Sequence, residues 1–555
     1  MFLYNEVVLI WYSTSYENNQ KLTTHQDVTY IQSENELLQR VDISAPVNRS
    51  IMYTYKNEKD LESIQYGTNT IEYVTDENGQ TTQTTLNGAN TANFIWNKNN
   101  LLESTIFRNG AAILNEYSFN QLQSETLKTN SETTWQTNKY EYDKNQQITK
   151  VSNDDGTVTY TYDVLNQLVK EQYSNGLSIS YTYDSVGNRI SKTTLQNGSI
   201  TTTNYSYNNS NQMMATGDKT YYVSDNGNVT NDGVFQYAWN AFDQLTEIKS
   251  LTGTTVASYR YDENGRRIYS KDSNGETYYR YNGITNQVLF EENSEGVISK
   301  AYTYDDNGHP LTMTYQGSTY YYLTNYRGDV LALTNTNGEI VAEYTYDAWG
   351  NIINQRGALA IINPYRYAGY RYDEDSKLYY LMARYYNPDT GVFLSLDSVR
   401  GDTMNPLTLN GYSYANNNPV MFVDPDGEFS ISKNLKSILK SFIKMIFADL
   451  RENTLTNFVL FVGGGGVSAY VARKMALKGF TMLNRAPNKK AIKAFITGGF
   501  SAYISGSFLK GAASTAVNLS GKLWEWDPWF DTTRLGKTID KGLLSAERYL
   551  LSKIK

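Results

Sequence analysis

Cysteine is absent from the 555 residues, and histidine occurs only as His25 and His309. The lack of cysteine excludes disulfide frameworks, thiolate zinc sites, iron–sulfur clusters and cysteine nucleophiles. The scarcity of histidine removes most imidazole chemistry as well. Only nine prolines and 39 glycines are present, which fits neither a collagen-like chain nor a proline-rich linker. From the residues alone we expect no metal site and no cofactor.

Tyrosine is abundant instead, with 49 residues against 19 phenylalanines, and it suits the half-exposed surfaces of sheets. The chain divides at Gly427. Residues 428–555 contain 20 Lys and Arg and 8 Asp and Glu, a net charge of +12, whereas residues 1–427 carry −20. All but three tyrosines lie before residue 428. An acidic, tyrosine-rich body joined to a basic tail predicts two domains with different surroundings.

A short motif, Tyr-x-Tyr-Asp, recurs along the body. Counted at the fourth position from Asp143 to Asp305, and including degenerate copies, the steps are 20, 21, 24, 32, 22, 20 and 23 residues. The motif places two tyrosines on one face of a strand, and the following Asp or Asn-Gly predicts a tight turn. Each unit is therefore a predicted β-hairpin, and the stack is a long antiparallel sheet. The clear copies are 140–143, 160–163, 181–184, 259–262, 302–305 and 344–347.

These units resemble the YD-repeat (Rhs) family, whose members wind hairpins into a hollow β-shell. The resemblance is most specific at 364–369, 378–388, 391–397, 417–420 and 423–427, which match the family's associated core domain of the Gram-positive wall-associated type. It implies a mainly β fold, a spiralling antiparallel β-shell, followed by a separate α-helical C-terminal domain. Shells of this family contain more repeats than this chain, so a partial shell is the alternative to a complete one. The implied domains are the repeats at 1–320, a late repeat and core domain at 321–427, and an effector at 428–555.

In family members that cut themselves, two aspartates near the end of the core resemble an aspartic-protease pair. The matching positions are Asp397 in FLSLD and Asp424 in VDPDG, and the scissile bond would follow Glu428. Such a pair works when one carboxyl group holds a proton while the other activates water. Glu428 stands where the family has leucine, and extra residues separate the aspartates. The alternative is that both aspartates only cap turns.

The tail is α-helical by pattern. In its first segment Lys433, Lys436, Lys440 and Lys444 fall on one arc of a helix, opposite an apolar face that includes Phe442. This arrangement is typical of a helix lying in an anionic membrane interface. The alternatives are a surface helix of a small globular domain and a helix packed against the shell.

Two uncharged, glycine-rich segments, 454–472 and 494–509, flank a purely basic stretch. They predict a helical hairpin whose insertion into a membrane would be marginal, because a spanning helix needs ~20 apolar residues. The alternative is a buried helical pair. Further along, Trp524, Trp526 and Trp529 predict an aromatic belt at a membrane surface or a simple hydrophobic turn.

The resemblance implies a bacterial polymorphic toxin, delivered by contact or secretion, with a cognate immunity protein and a secretion machinery as partners. We expect a secreted or cell-surface protein, although no signal peptide is visible. The pattern of the tail favours a membrane-active, pore-forming effector that is not an enzyme and binds no nucleic acid. Two alternatives stay open. One is a nuclease tail, which the +12 charge would suit, and the other is a carbohydrate-binding adhesin whose tyrosines stack on sugars.

Overall fold

The computed structural model describes residues 37–44, 46–56, 60–398 and 406–428, together with strands at 7–12, 16–17, 20–21, 27–32 and 431–432. Within this part of the chain, strands joined by tight turns make up most of the structure. Its helices are three short 3-10 helices, at Tyr367–Gly369, Pro406–Leu409 and Ala415–Asn417. The predicted mainly β, antiparallel fold is confirmed.

The first large sheet contains 20 strands, β1 and β4 to β22, and each pairs antiparallel with the next along the chain. Strands β2 and β3 form a separate hairpin. The bounds are β1 Val7–Tyr12, β2 Tyr16–Glu17, β3 Gln20–Lys21, β4 Asp27–Gln32, β5 Leu38–Ile43, β6 Arg49–Lys56, β7 Asp60–Tyr66, β8 Asn69–Thr75, β9 Thr81–Leu86, β10 Ala89–Trp96, β11 Leu102–Phe107, β12 Ala112–Ser118, β13 Gln121–Lys128, β14 Thr134–Tyr142, β15 Ile148–Asn153, β16 Gly156–Tyr162, β17 Leu168–Tyr173, β18 Ser178–Tyr183, β19 Arg189–Gln196, β20 Ser199–Tyr207, β21 Met213–Thr216 and β22 Lys219–Thr220.

The second large sheet contains 14 strands in consecutive antiparallel order. Strand β33 runs across residue 320, so the late repeat continues this sheet. The bounds are β23 Tyr222–Val223, β24 Val229–Asn231, β25 Phe235–Trp239, β26 Leu245–Ser250, β27 Thr255–Tyr261, β28 Arg267–Asp272, β29 Gly275–Tyr281, β30 Val288–Glu292, β31 Ile298–Tyr304, β32 Pro310–Tyr315, β33 Ser318–Thr324, β34 Val330–Thr334, β35 Ile340–Tyr346 and β36 Ile352–Arg356.

The core segment that follows forms two small sheets and packs against both large ones. Tyr367 and Tyr379 share one hydrophobic cluster with Tyr181 of the first sheet. Tyr385 shares another with Tyr259 of the second sheet. The small sheets are built from β37 Arg371–Asp373, β38 Leu378–Leu381, β39 Arg384–Asn387 and β40 Val392–Phe393, and from β41 Phe422–Val423 with β42 Ile431–Ser432.

A β-bulge recurs at the second tyrosine of the repeat unit. The pairing register shifts between Glu141 and Tyr142, and one repeat later between Thr161 and Tyr162. The same shift precedes Tyr261 in the second sheet. A bulge bends its strand and increases the local right-handed twist. Successive repeats are therefore bent at equivalent positions.

At this bulge the hydroxyl of the second tyrosine reaches the start of the preceding strand. Tyr183 Oη donates to the Leu168 carbonyl at 2.7 Å, which links one repeat turn to the previous one. Tryptophan replaces tyrosine at two such positions: Trp96 Nε1 donates to the Thr81 carbonyl at 2.8 Å, and Trp239 Nε1 donates to the Val229 carbonyl at 2.7 Å. The same bond is made by Tyr55, Tyr142, Tyr162, Tyr207, Tyr261, Tyr281, Tyr304 and Tyr346.

The first tyrosine of several units binds a buried carboxylate instead. Tyr302 Oη donates to Glu291 at 2.7 Å, and Tyr181 Oη donates to Glu171 at 2.5 Å. These first tyrosines are also buried, so their rings do not offer exposed surfaces on which sugars could stack. The other pairs of this kind are Tyr140 with Glu125, Tyr237 with Asp232 and Tyr259 with Asp373.

The aspartate that completes the motif closes its own turn. Asp163 Oδ1 accepts hydrogen bonds from the backbone N–H groups of Leu165 and Gln167, both at 2.9 Å. A short carboxylate binding its own backbone two and four residues on is an Asx-type turn. The predicted strand-ending role of this aspartate is confirmed, and Asp143, Asp184, Asp262, Asp305 and Asp347 do the same.

Contacts between distant repeats join two stretches of the chain that advance together. Arg49 pairs with Glu292, 243 residues away, at 2.9 Å. Thr81 donates to Asp306 across 225 residues, and Asn109 donates to Thr334 across the same 225 residues. Further along, Ala348 donates to Glu171 across 177 residues. Because both members of each pair advance along the chain, one winding of repeats lies against the next, in line with the predicted spiralling arrangement.

Apart from Glu428 and the two residues of β42, the tail lies outside the described residues, and its predicted α-helical structure stays a prediction there; Ile431–Ser432 form a strand instead. Among the residues that the structure does describe, no helix is both long and apolar enough to cross a membrane.

Candidate junction site

Arg384 lies on β39 in the tyrosine-rich core, and only 5% of its side chain is exposed. Its guanidinium carbon lies 3.6 Å from the ring centroid of Phe393, where cation–π attraction stabilises it. Nη1 donates to the carbonyl of Gly411 at 2.9 Å, and Nε donates to the carbonyl of Gly427. One side chain therefore holds several separate segments of the core together.

The same guanidinium brings the two predicted aspartates together. Arg384 Nη2 lies 3.0 Å from Asp397 Oδ2 and 3.3 Å from Asp424 Oδ2. Because both oxygens contact one nitrogen, they cannot be further apart than these two distances combined. The side chain of Asp424 is only 2% exposed, and that of Asp397 is 15% exposed.

Backbone contacts fix both aspartates. The N–H of Asp397 donates to the Gly411 carbonyl at 3.0 Å. The N–H of Asp424 donates to Tyr370 Oη at 2.8 Å. Burial raises the pKa of Tyr370 well above its usual value, and the Asp424 carboxylate adds to the shift. Tyr370 therefore stays a neutral hydroxyl that accepts this bond.

The chain is also held where the core ends. Gly427 has a φ of +72°, and a Cβ placed on it would clash with the Leu381 carbonyl oxygen. The N–H of Glu428 donates to Asp426 Oδ1 at 3.3 Å, so Asp426 acts within the turn. Glycine is needed at this position both for its conformation and for the close approach of two backbones.

Chemically, the cluster is a cation shared by two carboxylates. The guanidinium compensates charges that would otherwise be costly to bury. An aspartic-protease pair works differently, because its two acids share one proton. The structure brings both aspartates to one guanidinium, a cation that the motif comparison does not reveal. Cleavage after Glu428 stays a prediction.

Arg384 has a sequence signal that could have pointed to it. It is a basic residue within a run of tyrosines and apolar residues, in the stretch 378–388. Arg366 and Arg371 have the same signal and are also buried. Arg371 binds Glu291, and Arg366 binds Glu374 at 2.9 Å. Buried arginines in tyrosine-rich strands thus mark charged anchors of the core.

The remaining predicted site residues belong to the tail. No group of three or more histidine, aspartate or glutamate side chains arranged to hold a metal ion is found in the described part of the chain. The predicted membrane-binding residues lie outside the described residues, and they are Lys433, Lys436, Lys440, Lys444, Phe442, Trp524, Trp526 and Trp529.

Comparison with known families agrees with this architecture of bulged hairpins closed by a tyrosine-rich core. The family model described as Teneurin YD-shell matches residues 93–420, more than half of the chain. The chain belongs to the YD-shell family. The match extends from the first large sheet through the second and most of the core, and it includes Arg384 and Asp397.

Two curated relatives of this YD-shell come from Bacillus. The tRNA3(Ser)-specific nuclease WapA of Bacillus spizizenii is 42% identical over 270 residues, which cover 48% of this chain and 12% of the relative. The tRNA nuclease WapA of Bacillus subtilis gives the same identity and coverage. The chain thus matches only a small part of these much longer proteins.

Solved structures share the fold at low sequence identity. The crystal structure of TcdB2-TccC3-Cdc42 matches with a TM-score of 0.61 and 19% identity, covering 74% of this chain and 24% of that one. The structure of TcdB2-TccC3 without its hypervariable C-terminal region gives a TM-score of 0.59 and 17% identity, with coverages of 75% and 25%. At this identity the likeness shows the YD-shell fold alone.

Proposed function

We propose that this YD-shell protein is a bacterial polymorphic toxin, delivered by contact or secretion, whose repeats and core carry residues 428–555 as the effector. The observation that carries the proposal is that a core side chain binds the backbone at the junction between the core and the tail. Arg384 binds the Gly427 carbonyl at the point where the net charge changes from −20 to +12. An anchored end followed by a segment of opposite charge is what a carrier joined to its cargo requires.

The relatives support a shared carrier with an exchangeable tail. The 270-residue match to WapA is longer than the 128-residue tail, so it includes part of the YD-shell. Those relatives are named as tRNA nucleases, and TccC3 is described with a hypervariable C-terminal region. Because such tails vary, the substrate of one relative does not identify the substrate of this tail.

For the effector itself we propose membrane activity. The lysine arc of Lys433, Lys436, Lys440 and Lys444 would face anionic head groups, each contributing about 1 kcal/mol. The apolar residues opposite, including Phe442, would enter the interface. The uncharged segments at 454–472 and 494–509 would then insert as a hairpin.

A ribonuclease tail is the second candidate, because both Bacillus relatives are named as tRNA nucleases. The +12 charge of the tail would favour a phosphate backbone. The tail contains no histidine, so this chemistry would rest on its 20 basic and 8 acidic residues. Either effector would need an immunity protein in the producing cell, a secretion machinery, and a secreted or cell-surface location.

Expression of residues 428–555 in bacterial cells separates the two candidates. A membrane effector should collapse the membrane potential, followed with a voltage-sensitive dye, while tRNA stays intact on a gel. Cleaved tRNA with an initially unchanged potential would favour the ribonuclease. Changing the four lysines of the arc to glutamine should abolish depolarisation, and changing the same four to arginine should preserve it. Healthy cells with full expression of the tail would contradict both candidates.

A further inference from the structure

Glu171 on β17 is fully buried, with a relative exposure of 0%. Its carboxylate accepts hydrogen bonds from Tyr181 Oη at 2.5 Å and from Tyr173 Oη at 2.8 Å. It also accepts a bond from the backbone N–H of Ala348 at 3.0 Å, across 177 residues of sequence. One glutamate side chain therefore joins the first large sheet to a turn of the late repeat.

That turn, residues 347–351, is also the point where the core attaches. Its carbonyl groups accept hydrogen bonds from core tyrosines, each at 2.8 Å: Tyr367 binds Ala348, Tyr386 binds Trp349 and Tyr379 binds Gly350. The 347–351 turn is thus held by the core on one side and by Glu171 on the other.

Glu291 occupies the equivalent place in a later repeat, and the two glutamates differ in their charged neighbours. Both are buried and accept a bond from the first tyrosine of a unit. Glu291 is also paired with Lys300 at 3.1 Å and with Arg371. Within the described residues Glu171 forms no ion pair, and the Asp347 carboxylate lies near it. The two glutamates therefore differ in charge compensation.

The pKa values of Glu171 and Glu291 are therefore shifted in opposite directions. Burial, reinforced by Asp347, raises the pKa of Glu171 to about 7. Burial acts in the same direction on Glu291, but Lys300 and Arg371 lower its pKa to about 2.

Two arginines lie beside the Glu171 cluster without forming an ion pair with Glu171. Arg327 pairs with Asp329 at 2.6 Å, and the guanidinium of Arg189 stacks on Tyr181 at 4.8 Å and on Trp349 of the turn at 3.8 Å. The titratable and charged groups that face Glu171 or its tyrosines from the surrounding elements are Tyr160, Tyr162, Tyr173, Tyr181, Tyr183, Asp347, Asp329, Arg189 and Arg327.

We propose that Glu171 makes the attachment of the 347–351 turn to the first sheet pH-sensitive, with the attachment weakening as its carboxyl group loses a proton. Opening of this contact would expose Glu171 to water, where its pKa returns towards 4.5. Glu171 binds its proton more tightly when the turn is attached than when it is detached. The attachment is therefore strongest in acid and is lost progressively as the pH rises towards 7 and above. The inference concerns how the YD-shell holds its core and does not depend on what the tail does.

Hydrogen exchange of the Ala348 amide in the full chain tests the proposal, because this N–H is itself the donor to Glu171. After correction for intrinsic exchange, we expect its protection to fall by roughly 50-fold between pH 5 and pH 8. Glu171→Gln keeps an acceptor oxygen but cannot be charged, and it should flatten this dependence. Glu125→Gln is the matched control, since Glu125 is also buried and accepts hydrogen bonds from Tyr140 and Asn138 of the neighbouring strand β14; it should behave like the wild type.

A flat wild-type profile, or an unchanged slope in Glu171→Gln, would overturn the proposal. If Glu171→Gln does not fold, Asp347→Asn provides the test. Asn keeps the Oδ1 acceptor that closes the turn through Trp349 and Asn351 while removing the nearby charge. A smaller slope in this variant supports the proposal, and an unchanged slope contradicts it.

Discussion

Within one repeat unit, two tyrosines and an aspartate satisfy three different polar groups. In the unit 181–184, Tyr181 binds the Glu171 carboxylate, Tyr183 binds the Leu168 carbonyl, and Asp184 closes its own turn. Each ring also covers apolar sheet surface. Phenylalanine would cover that surface equally well but would leave a buried acceptor unpaired, which costs about 1–3 kcal/mol. This explains why tyrosine outnumbers phenylalanine.

We therefore expect Tyr183→Phe to lower the free energy of unfolding by about 1–2 kcal/mol, measured by urea denaturation. The loss comes from the Leu168 carbonyl, which accepts the Tyr183 hydroxyl. Tyr222→Phe is the control, because Tyr222 is 60% exposed and should change the stability little. Equal effects of the two substitutions would contradict the role given to the second tyrosine.

At the junction, the match of Asp397 and Asp424 to the family's cleavage motifs predicts self-cleavage after Glu428. Purified protein should then contain a fragment that begins at residue 429, identified by intact-mass measurement. Asp397→Asn and Asp424→Asn should each abolish the fragment, because one acid can no longer activate water while the other holds a proton. Circular dichroism checks that both variants remain folded. A wild-type chain that stays intact would instead support a purely structural cluster around Arg384.

At the scale of strands and turns, local features of the fold could be predicted from the sequence. The Asn-Gly and Asp-x-x-Gly turns, the hairpin units and the two aspartates of the junction follow from short motifs. The bulge at Tyr142 and its equivalents could not be predicted, because it is a property of strand pairing. Nor could the partners of Arg384, which lie 13, 27, 40 and 43 residues away along the chain. Long-range partners decide which charges can be buried.

The close backbone approach at Gly427 gives a test at this scale. Gly427→Ala should lower the free energy of unfolding by several kcal/mol, because the Cβ would clash with the Leu381 carbonyl in addition to the strain of a positive φ. Gly198→Ala is a matched control with a φ of +77° and nothing within 4 Å of the added atom. It should cost only ~1–2 kcal/mol. Equal costs would show that the core does not hold the chain at Gly427.

Glu291 joins β30 and β31 to the core strand β37 through Lys300 and Arg371. Because its folded pKa is about 2 instead of 4.5, it stabilises the fold above pH 4.5, and this contribution is lost as the pH falls towards 2. Between pH 5 and pH 3 we expect a loss of about 2 kcal/mol from this group. Urea denaturation at both values should show a smaller acid-dependent loss in Glu291→Gln than in the wild type. An identical loss would contradict the assignment.

For the molecule as a whole, the contacts at an offset of about 225 residues are the decisive feature. They bind one winding of the YD-shell to the next, so the repeats support each other in a way that no isolated hairpin could. The core then links both large sheets through the 347–351 turn and through Arg371 and Arg267, which bind Glu291 and Asp373. Arg384 holds the chain at Gly427, and β42 then pairs with the core strand β41.

The central claim is that the YD-shell is a carrier and that residues 428–555 are the effector. The most direct measurement compares the growth of bacterial cells that express residues 1–427 with that of cells expressing residues 428–555, at matched protein levels. Growth should stop only with residues 428–555, while residues 1–427 remain folded by circular dichroism and are harmless. Growth arrest caused by residues 1–427, or unaffected growth with the tail, would contradict the claim.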